Sequence, residues 1–459
     1  MSAIIISALL GVAMMIAGLF IRKAGQVQLL AIIGSLLLLG ATWYDYKLYA
    51  GVATTFYNSI EINAYTGWFN VIISACFLIY TLIFHNTISR VGKNDAEYYA
   101  LLFFVMCGVY MMSTYNSLLI LFVGIEIMSI PQYILAGTQK DSIKSSEAAL
   151  KYFLMGAFST GILLMGITLI YGATGTFAIN TSAFQGQFQE ITSTSSLSFL
   201  GILLLVVSFG FKVSAAPFHY WTPDVYDGTP TAFTPFMSTI VKVAVFLAFL
   251  RLFHGSFGSV SEMWQMSIAA LIILTLFFGN ITAVYQQSVK RMMAYSSIAQ
   301  AGFMLFAIFA FNASSWQGIL LYAGAYTLAS LGVFATIAYL DDHSYDGFNG
   351  LAAKHPLLAF TTTISLLSLA GIPLTGGFFA KYWVLSAAVE QGTLLGLVIF
   401  AVLMAAISVY YYFKVIMSMY FKKGEPTLLH QPTITEHAML LVNAILIILL
   451  GILPGLILS

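Results

Sequence analysis

The chain has 459 residues, 60% of them hydrophobic and only 8% charged, far below the roughly 25% charged share of soluble domains, so the bilayer must be its solvent. Lys and Arg number 18 against 17 Asp and Glu, which excludes a basic nucleic-acid surface and an acidic binding arm and directs the search for partners into the membrane. Cys76 and Cys107 lie in apolar runs with neither a CxxC pairing nor a neighbouring His; they read as packing residues, and the ligands of an iron–sulfur cluster, a haem or a metal site are missing. No G-x-G-x-x-G follows a strand-like segment, so the expectation is a chain without a redox cofactor or nucleotide of its own.

A helix needs about 20 apolar residues to cross the hydrocarbon core. Runs of that length predict spans near 2–21, 28–44, 66–84, 98–114, 117–137, 148–171, 197–217, 231–253, 265–285, 292–311, 317–340, 356–389, 394–421 and 437–457. The expected fold is therefore all-α and polytopic, with fourteen transmembrane helices. The first run is not a signal peptide, because Arg22 and Lys23 follow the apolar stretch instead of preceding it. Cytoplasmic loops collect Lys and Arg. Alternate loops beginning with the first hold Arg22, Lys23, Arg90, Lys93, Lys140, Lys144, Lys290, Arg291, Lys354, Lys422 and Lys423, and the opposite set only Lys47 and Arg251. This places both termini outside, opposite the cytoplasmic loops.

The five basic residues that remain and one acid, Glu126, fall inside spans, where an ionisable residue costs about 2.5–3.5 kcal/mol on insertion scales and marks an ion or proton path. In chain order the first is Glu126, mid-span in Leu121-Phe-Val-Gly-Ile-Glu-Ile-Met-Ser-Ile-Pro131, too deep to reach water. Lys151 stands only about a turn inside its span and four residues from Glu147, a spacing equally typical of ordinary helix-surface pairs. Lys212 precedes Pro217, and a proline at depth breaks the helix ladder, which is tolerated only where the irregular backbone lines a cavity or is buried in protein. His219 just beyond it is either a second relay group or a satisfied structural histidine. Lys242 is central in Thr239-Ile-Val-Lys-Val-Ala-Val-Phe. The 356–389 stretch would be about 50 Å long as one helix and must bend or break; Gly371-Ile-Pro-Leu-Thr-Gly-Gly377 sits in its middle and Lys381 follows one turn later. Two interrupted spans in separated parts of one chain point to paired transporter repeats. Lys414, two turns before Lys422, reads as a lysine snorkelling toward the cytoplasmic surface.

The segment Ala216-Pro-Phe-His-Tyr-Trp-Thr-Pro-Asp-Val-Tyr-Asp-Gly-Thr-Pro230 closely resembles the signature of the N-subunit family of bacterial NADH:quinone oxidoreductase, respiratory complex I. Gly124-Ile-Glu-Ile-Met-Ser-Ile-Pro131, Glu147-Ala-Ala-Leu-Lys-Tyr-Phe-Leu154, Val289-Lys-Arg-Met-Met-Ala-Tyr-Ser-Ser-Ile298 and Leu369-Ala-Gly-Ile-Pro-Leu-Thr-Gly-Gly-Phe-Phe-Ala-Lys381 resemble the same family in order, so the likeness covers roughly residues 60–420. The related L and M subunits and Mrp-type cation antiporters generally carry a Leu-Pro-x-Ala-Met-x-Gly-Pro-Thr-type segment in place of Pro-Asp-Val-Tyr-Asp-Gly, and the M relative usually has Glu where this chain has Lys381.

The resemblance implies that Glu126 is the family's span-five glutamate, Lys151 its span-six partner, Lys212 the central span-seven lysine, Lys242 the connecting span-eight lysine and Lys381 the lysine of the discontinuous span twelve. It also implies two inverted five-helix repeats: 98–254 (helices 4–8) and 265–421 (helices 9–13), flanked by 1–97 (helices 1–3) and 437–459 (helix 14). NAD, FMN, iron–sulfur clusters and quinone are expected in partner subunits, and the partners are the antiporter-like M subunit, the small K/J/A/H-type subunits and membrane lipid. Burial makes the charged form of a lysine costly and a nearby carboxylate offsets that cost. Movement or protonation of Glu126 would then decide whether Lys151 and Lys212 hold a proton, which passes along the lysine row toward Lys381. The rival expectation is a redox-free antiporter exchanging protons for monovalent cations.

Overall fold

The computed structural model describes residues 1–21, 23–49, 54–179, 196–392 and 394–458. The helices are α1 (Ser2–Phe20), α2 (Ala24–Tyr49), α3 (Ala64–Val91), α4 (Asp95–Thr114), α5 (Leu118–Ala136), α6 (Ile143–Thr174), α7 (Ser196–Lys212) and α8 (Trp221–Gly228). They continue as α9 (Thr234–Ser256), α10 (Gln265–Val284), α11 (Val289–Ala310), α12 (Ala313–Tyr339), α13 (Pro356–Ala370), α14 (Gly376–Glu390), α15 (Leu395–Phe421) and α16 (Ile434–Ile452). Among the described residues twelve helices are long and apolar enough to cross a membrane. The two other spans expected from the sequence fall on shorter apolar helices at the interruptions, Leu197–Lys212 within α7 and α13, Pro356–Ala370. Several helices outrun their apolar stretch: α6 begins at Ile143, five residues before the expected start, because Ser142 caps it by accepting from the Ser145 amide and the polar first turns need no hydrocarbon around them.

One departure from the all-helical expectation is a small antiparallel hairpin between α2 and α3, β1 (Thr54–Phe56) with β2 (Ile60–Ile62). Its turn holds Tyr57 and Asn58 in the left-handed region at φ 49° and 54°.

These helices are apolar on every side, so amphipathic period cannot tell a lipid face from an interior one; small and polar side chains do that instead. The most apolar stretches of α9 and α12 are 100% buried, against 22% in α1 and 33% in α2 and α15. Both carry buried polar groups, Thr239 and Lys242 on α9 and Thr327, Ser330 and Thr336 on α12. Cys76 and Cys107 are free and buried, as small apolar packing residues would be.

Candidate functional site

Both interruptions end a helix at depth, and the two ends are satisfied differently. After α7, the amides of Val213, Ser214 and Ala215 fold back onto the carbonyls of Phe209, Phe211 and Gly210. The last carbonyls are thus answered by their own loop, and Lys212 reaches across instead: its Nζ donates to Ser129 Oγ at 3.1 Å and to the Tyr133 hydroxyl at 3.5 Å, both on α5. Glu126 lies one turn before Ser129, and positions 126, 129 and 133 share one helix face. The Glu126 carboxylate accepts from Thr160 Oγ1 on α6 at 2.8 Å and lies within electrostatic reach of Lys212.

After α13 no backbone amide answers the carbonyls of Leu369 and Ala370, because the Gly371 and Ile372 amides turn to Leu367 and Ser368. Lys381 answers them, donating at 2.8 and 3.0 Å. A cation belongs at the carbonyl end of a helix, where the macrodipole is negative. Gly371 makes the arrangement possible twice over: it takes the left-handed cap conformation at φ 83°, and a Cβ there would sit 3.0 Å from Lys381 Cδ. The Phe303 ring covers the ammonium at 4.8 Å.

Lys242 lies between the two breaks, buried on α9. Its Nζ donates to the Ser297 carbonyl at 3.1 Å and to Ser297 Oγ at 2.7 Å on α11, with the Tyr226 ring of α8 at 5.8 Å. The structure thus brings Glu126 and Lys212 into one cluster and sets both Lys242 and Lys381 against α11, at Ser297 and Phe303, the helix that also carries Ser296 and Gln300.

Lys151 is not joined to Glu126. It pairs with Glu147 at 2.6 Å, the i,i+4 contact its spacing allows, and with Asp224 of α8 at 2.7 Å. Asp224 also holds Arg291 of α11 at 2.8 Å, so one carboxylate ties α6, α8 and α11 together. His219 is buried between Tyr220 and Phe278, its Nδ1 without a hydrogen-bond partner. Lys414 rests 3.9 Å above the ring of Tyr345, in the loop that follows α12, which is where a snorkelling side chain would end.

Two residues assigned to loops prove to be interior. Lys290, at the start of α11, is buried, and its Nζ donates to the carbonyls of Asp227 and Thr229 at 2.9 and 2.7 Å. Arg251 opens the π-helical end of α9, donates to the carbonyls of Ser113 and Tyr115 and stacks on the Tyr115 ring. Neither was legible from local hydropathy, because both stand at the ends of apolar runs where interfacial charges are ordinary; the carbonyls that bury them lie more than 60 residues earlier in the chain. Lys290 forms part of the wall of a cleft of about 480 Å³, together with Arg90, Lys144, Asp227, His343 and His430. In the loop beyond α12, burial and the Lys290 ammonium hold His343 below the ordinary imidazole range.

A polytopic bundle with two broken helices and a row of interior lysines defines an antiporter-like membrane protein. Residues 115–408 match the family model described as NADH:quinone oxidoreductase/Mrp antiporter, transmembrane. NADH-quinone oxidoreductase subunit N of Cytophaga hutchinsonii is 37% identical over 100% of this chain and 99% of that one. The subunit N of Trichlorobacter lovleyi is 39% identical, covering 92% of this chain and 87% of its own. Among solved structures, a chain of respiratory complex I from Thermus thermophilus with bound aureothin superimposes with a TM-score of 0.84 at 30% identity over 99% of this chain and 98% of that one. A chain of the Mrp complex from Dietzia sp. shares the fold, with a TM-score of 0.86 over 100% of this chain and 95% of that one, at 18% identity. The chain belongs to the subunit N family of NADH-quinone oxidoreductase.

Proposed function

We propose that this chain is the proton-translocating, antiporter-like membrane subunit of an NADH:quinone oxidoreductase, coupling electron transfer in partner subunits to proton passage along Glu126, Lys212, Lys242 and Lys381. The observation that carries the reading is that Lys212, Lys242 and Lys381, inside the bundle, are each held by neutral acceptors, hydroxyls or carbonyls, and that among the described residues a carboxylate stands beside Lys212. Such lysines have no fixed ion partner, and a purely structural bundle would avoid their insertion cost. Lys151 enters the scheme by exchange: it is now held by Glu147 and Asp224, and release from them would free it for Glu126. His219 is a second relay group in this reading.

The division into repeats at 98–254 and 265–421 is supported by a recurring device. Tyr152 on α6 donates to Gln132 Oε1 on α5 at 3.0 Å, and Tyr322 on α12 donates to Gln300 Oε1 on α11 at 3.0 Å. NAD, FMN, iron–sulfur clusters and quinone belong to partner subunits; the antiporter-like M subunit and the small K/J/A/H-type subunits are the neighbours, in a bacterial inner membrane with both termini periplasmic. The sidedness is supported by geometry, since Arg90, Lys144 and Lys290 line one cleft and Lys93 and Lys140 an adjoining one, at a single end of the bundle.

The test is purification of the tagged chain from its native membranes. NADH:quinone oxidoreductase activity and quinone-linked proton pumping are expected to travel with it. A protein that purifies alone and exchanges sodium or potassium for protons in liposomes would establish the Mrp-type reading in its place.

A further inference from the structure

The two tyrosine–glutamine devices are alike in one half only. In both, a tyrosine of the next helix donates to the amide oxygen. Gln132 spends its amide nitrogen at home, on the Met128 carbonyl of its own helix at 2.9 Å. Gln300 sends its amide nitrogen outward, to the Leu369 carbonyl at 2.9 Å and the Tyr412 hydroxyl at 3.3 Å. Leu369 is the residue whose carbonyl Lys381 also occupies. Tyr412 in turn lies 2.5 Å from Ser296 Oγ, and Ser296 adjoins Ser297, the acceptor of Lys242. The α11 segment Ser296–Ser297 that holds Lys242 is therefore tied, through Tyr412 and Gln300, to the Leu369 carbonyl that Lys381 occupies.

The polarity of this string follows from what each group can do. A carbonyl only accepts, so the Gln300 nitrogen must face Leu369, and the oxygen is left for Tyr322. Gln300 then donates to Tyr412, whose hydroxyl shares a further hydrogen bond with Ser296 in which either oxygen can donate. Ser296, Gln300, Tyr322 and Tyr412 are all buried, so no bulk water competes for these bonds. A cavity of about 10 Å³, which is room for one water, adjoins Gln300 between Tyr322, Tyr326 and Ser368.

We propose that Gln300 and Tyr412 are positioning residues for proton passage: they tie the α11 segment that holds Lys242 to the Leu369 carbonyl that Lys381 occupies, and so fix the two lysines relative to one another. The inference rests on the proton-translocation reading above and names the link that the intramembrane charges alone leave open.

A tyrosine elsewhere in the bundle provides the control. Tyr80 of α3 is equally buried, and its hydroxyl donates to the Ala232 carbonyl at 2.9 Å, away from these residues. Tyr412→Phe, Tyr80→Phe and Gln300→Leu are made in the whole NADH:quinone oxidoreductase complex. Protons pumped per NADH and the solvent deuterium isotope effect on turnover are measured, with Lys212→Met alongside. Tyr412→Phe and Gln300→Leu are expected to lower pumping per NADH roughly two- to tenfold and to enlarge the isotope effect, the scale of one lost hydrogen bond, while Tyr80→Phe stays close to the parent. Equal losses in Tyr412→Phe and Tyr80→Phe, or none in Tyr412→Phe, would overturn the proposal. If Tyr412→Phe does not assemble, Gln300→Leu decides by the same readouts. A Lys212→Met complex that pumps normally sinks the functional reading and this inference together; loss in Lys212→Met beside a normal Tyr412→Phe sinks this inference alone.

Discussion

Three lysines of the bundle are held in three ways, and the differences set what substitution should do. Lys212 is held by two side-chain hydroxyls on a neighbouring helix, Lys242 by both oxygens of one serine, and Lys381 by the free carbonyls of a helix end. Removing the Lys212 ammonium leaves Ser129 and Tyr133, which can turn to other partners, so the fold should persist. Lys212→Met is expected to leave the complex assembled while quinone-linked NADH oxidation and proton pumping fall roughly tenfold or more. Lys212→Arg should not restore them, because a guanidinium stays protonated throughout the working range and cannot release a proton. Lys414→Met removes an ammonium that rests on Tyr345 near the end of the span, and should be mild in the same assay. Normal pumping in assembled Lys212→Met together with severe loss in Lys414→Met would reverse the site assignment.

At the scale of elements, the break between α13 and α14 depends on how closely the two half-helices approach. A Cβ on Gly377 would fall 1.9 Å from the Ser368 carbonyl oxygen, a contact with backbone that no rotamer change can relieve. The Gly377 amide also donates to Ser368 Oγ at 3.1 Å, so the same residue both permits and holds the approach. Gly377→Ala should push α14 away from α13 and carry Lys381 off the Leu369 and Ala370 carbonyls. The expected result is a several-fold lower yield of assembled complex on native gels. Wild-type yield with wild-type pumping would show that the break does not need this contact. This requirement could be suspected from Gly371-Ile-Pro-Leu-Thr-Gly-Gly377 standing in an over-long apolar run. The role of Lys381 as the cap of α13 could not, since it depends on which carbonyls the broken end leaves unanswered.

For the molecule as a whole, the loops bearing Arg90, Lys93, Lys140, Lys144 and Lys290 meet at one end, as the alternation of basic loops requires. A cysteine engineered at Ser2 should react with a thiol label confined to the periplasm and stay silent to one confined to the cytoplasm; the opposite labelling would invert the topology. The sequence by itself determined the solvent, the two breaks and the interior placing of Lys212, Lys242 and Lys381, because hydropathy, proline and the cost of an intramembrane charge are all local quantities. Only the tertiary structure decided the partners. It set Lys151 on Asp224 and not on Glu126, buried Lys290 and Arg251, and ran Gln300 and Tyr412 between Lys242 and Lys381. The physical reason is that a hydrogen bond inside a bundle is chosen among groups dozens to hundreds of residues apart, by which helix faces the packing brings together, and helices apolar on every side carry no local mark of which face that is.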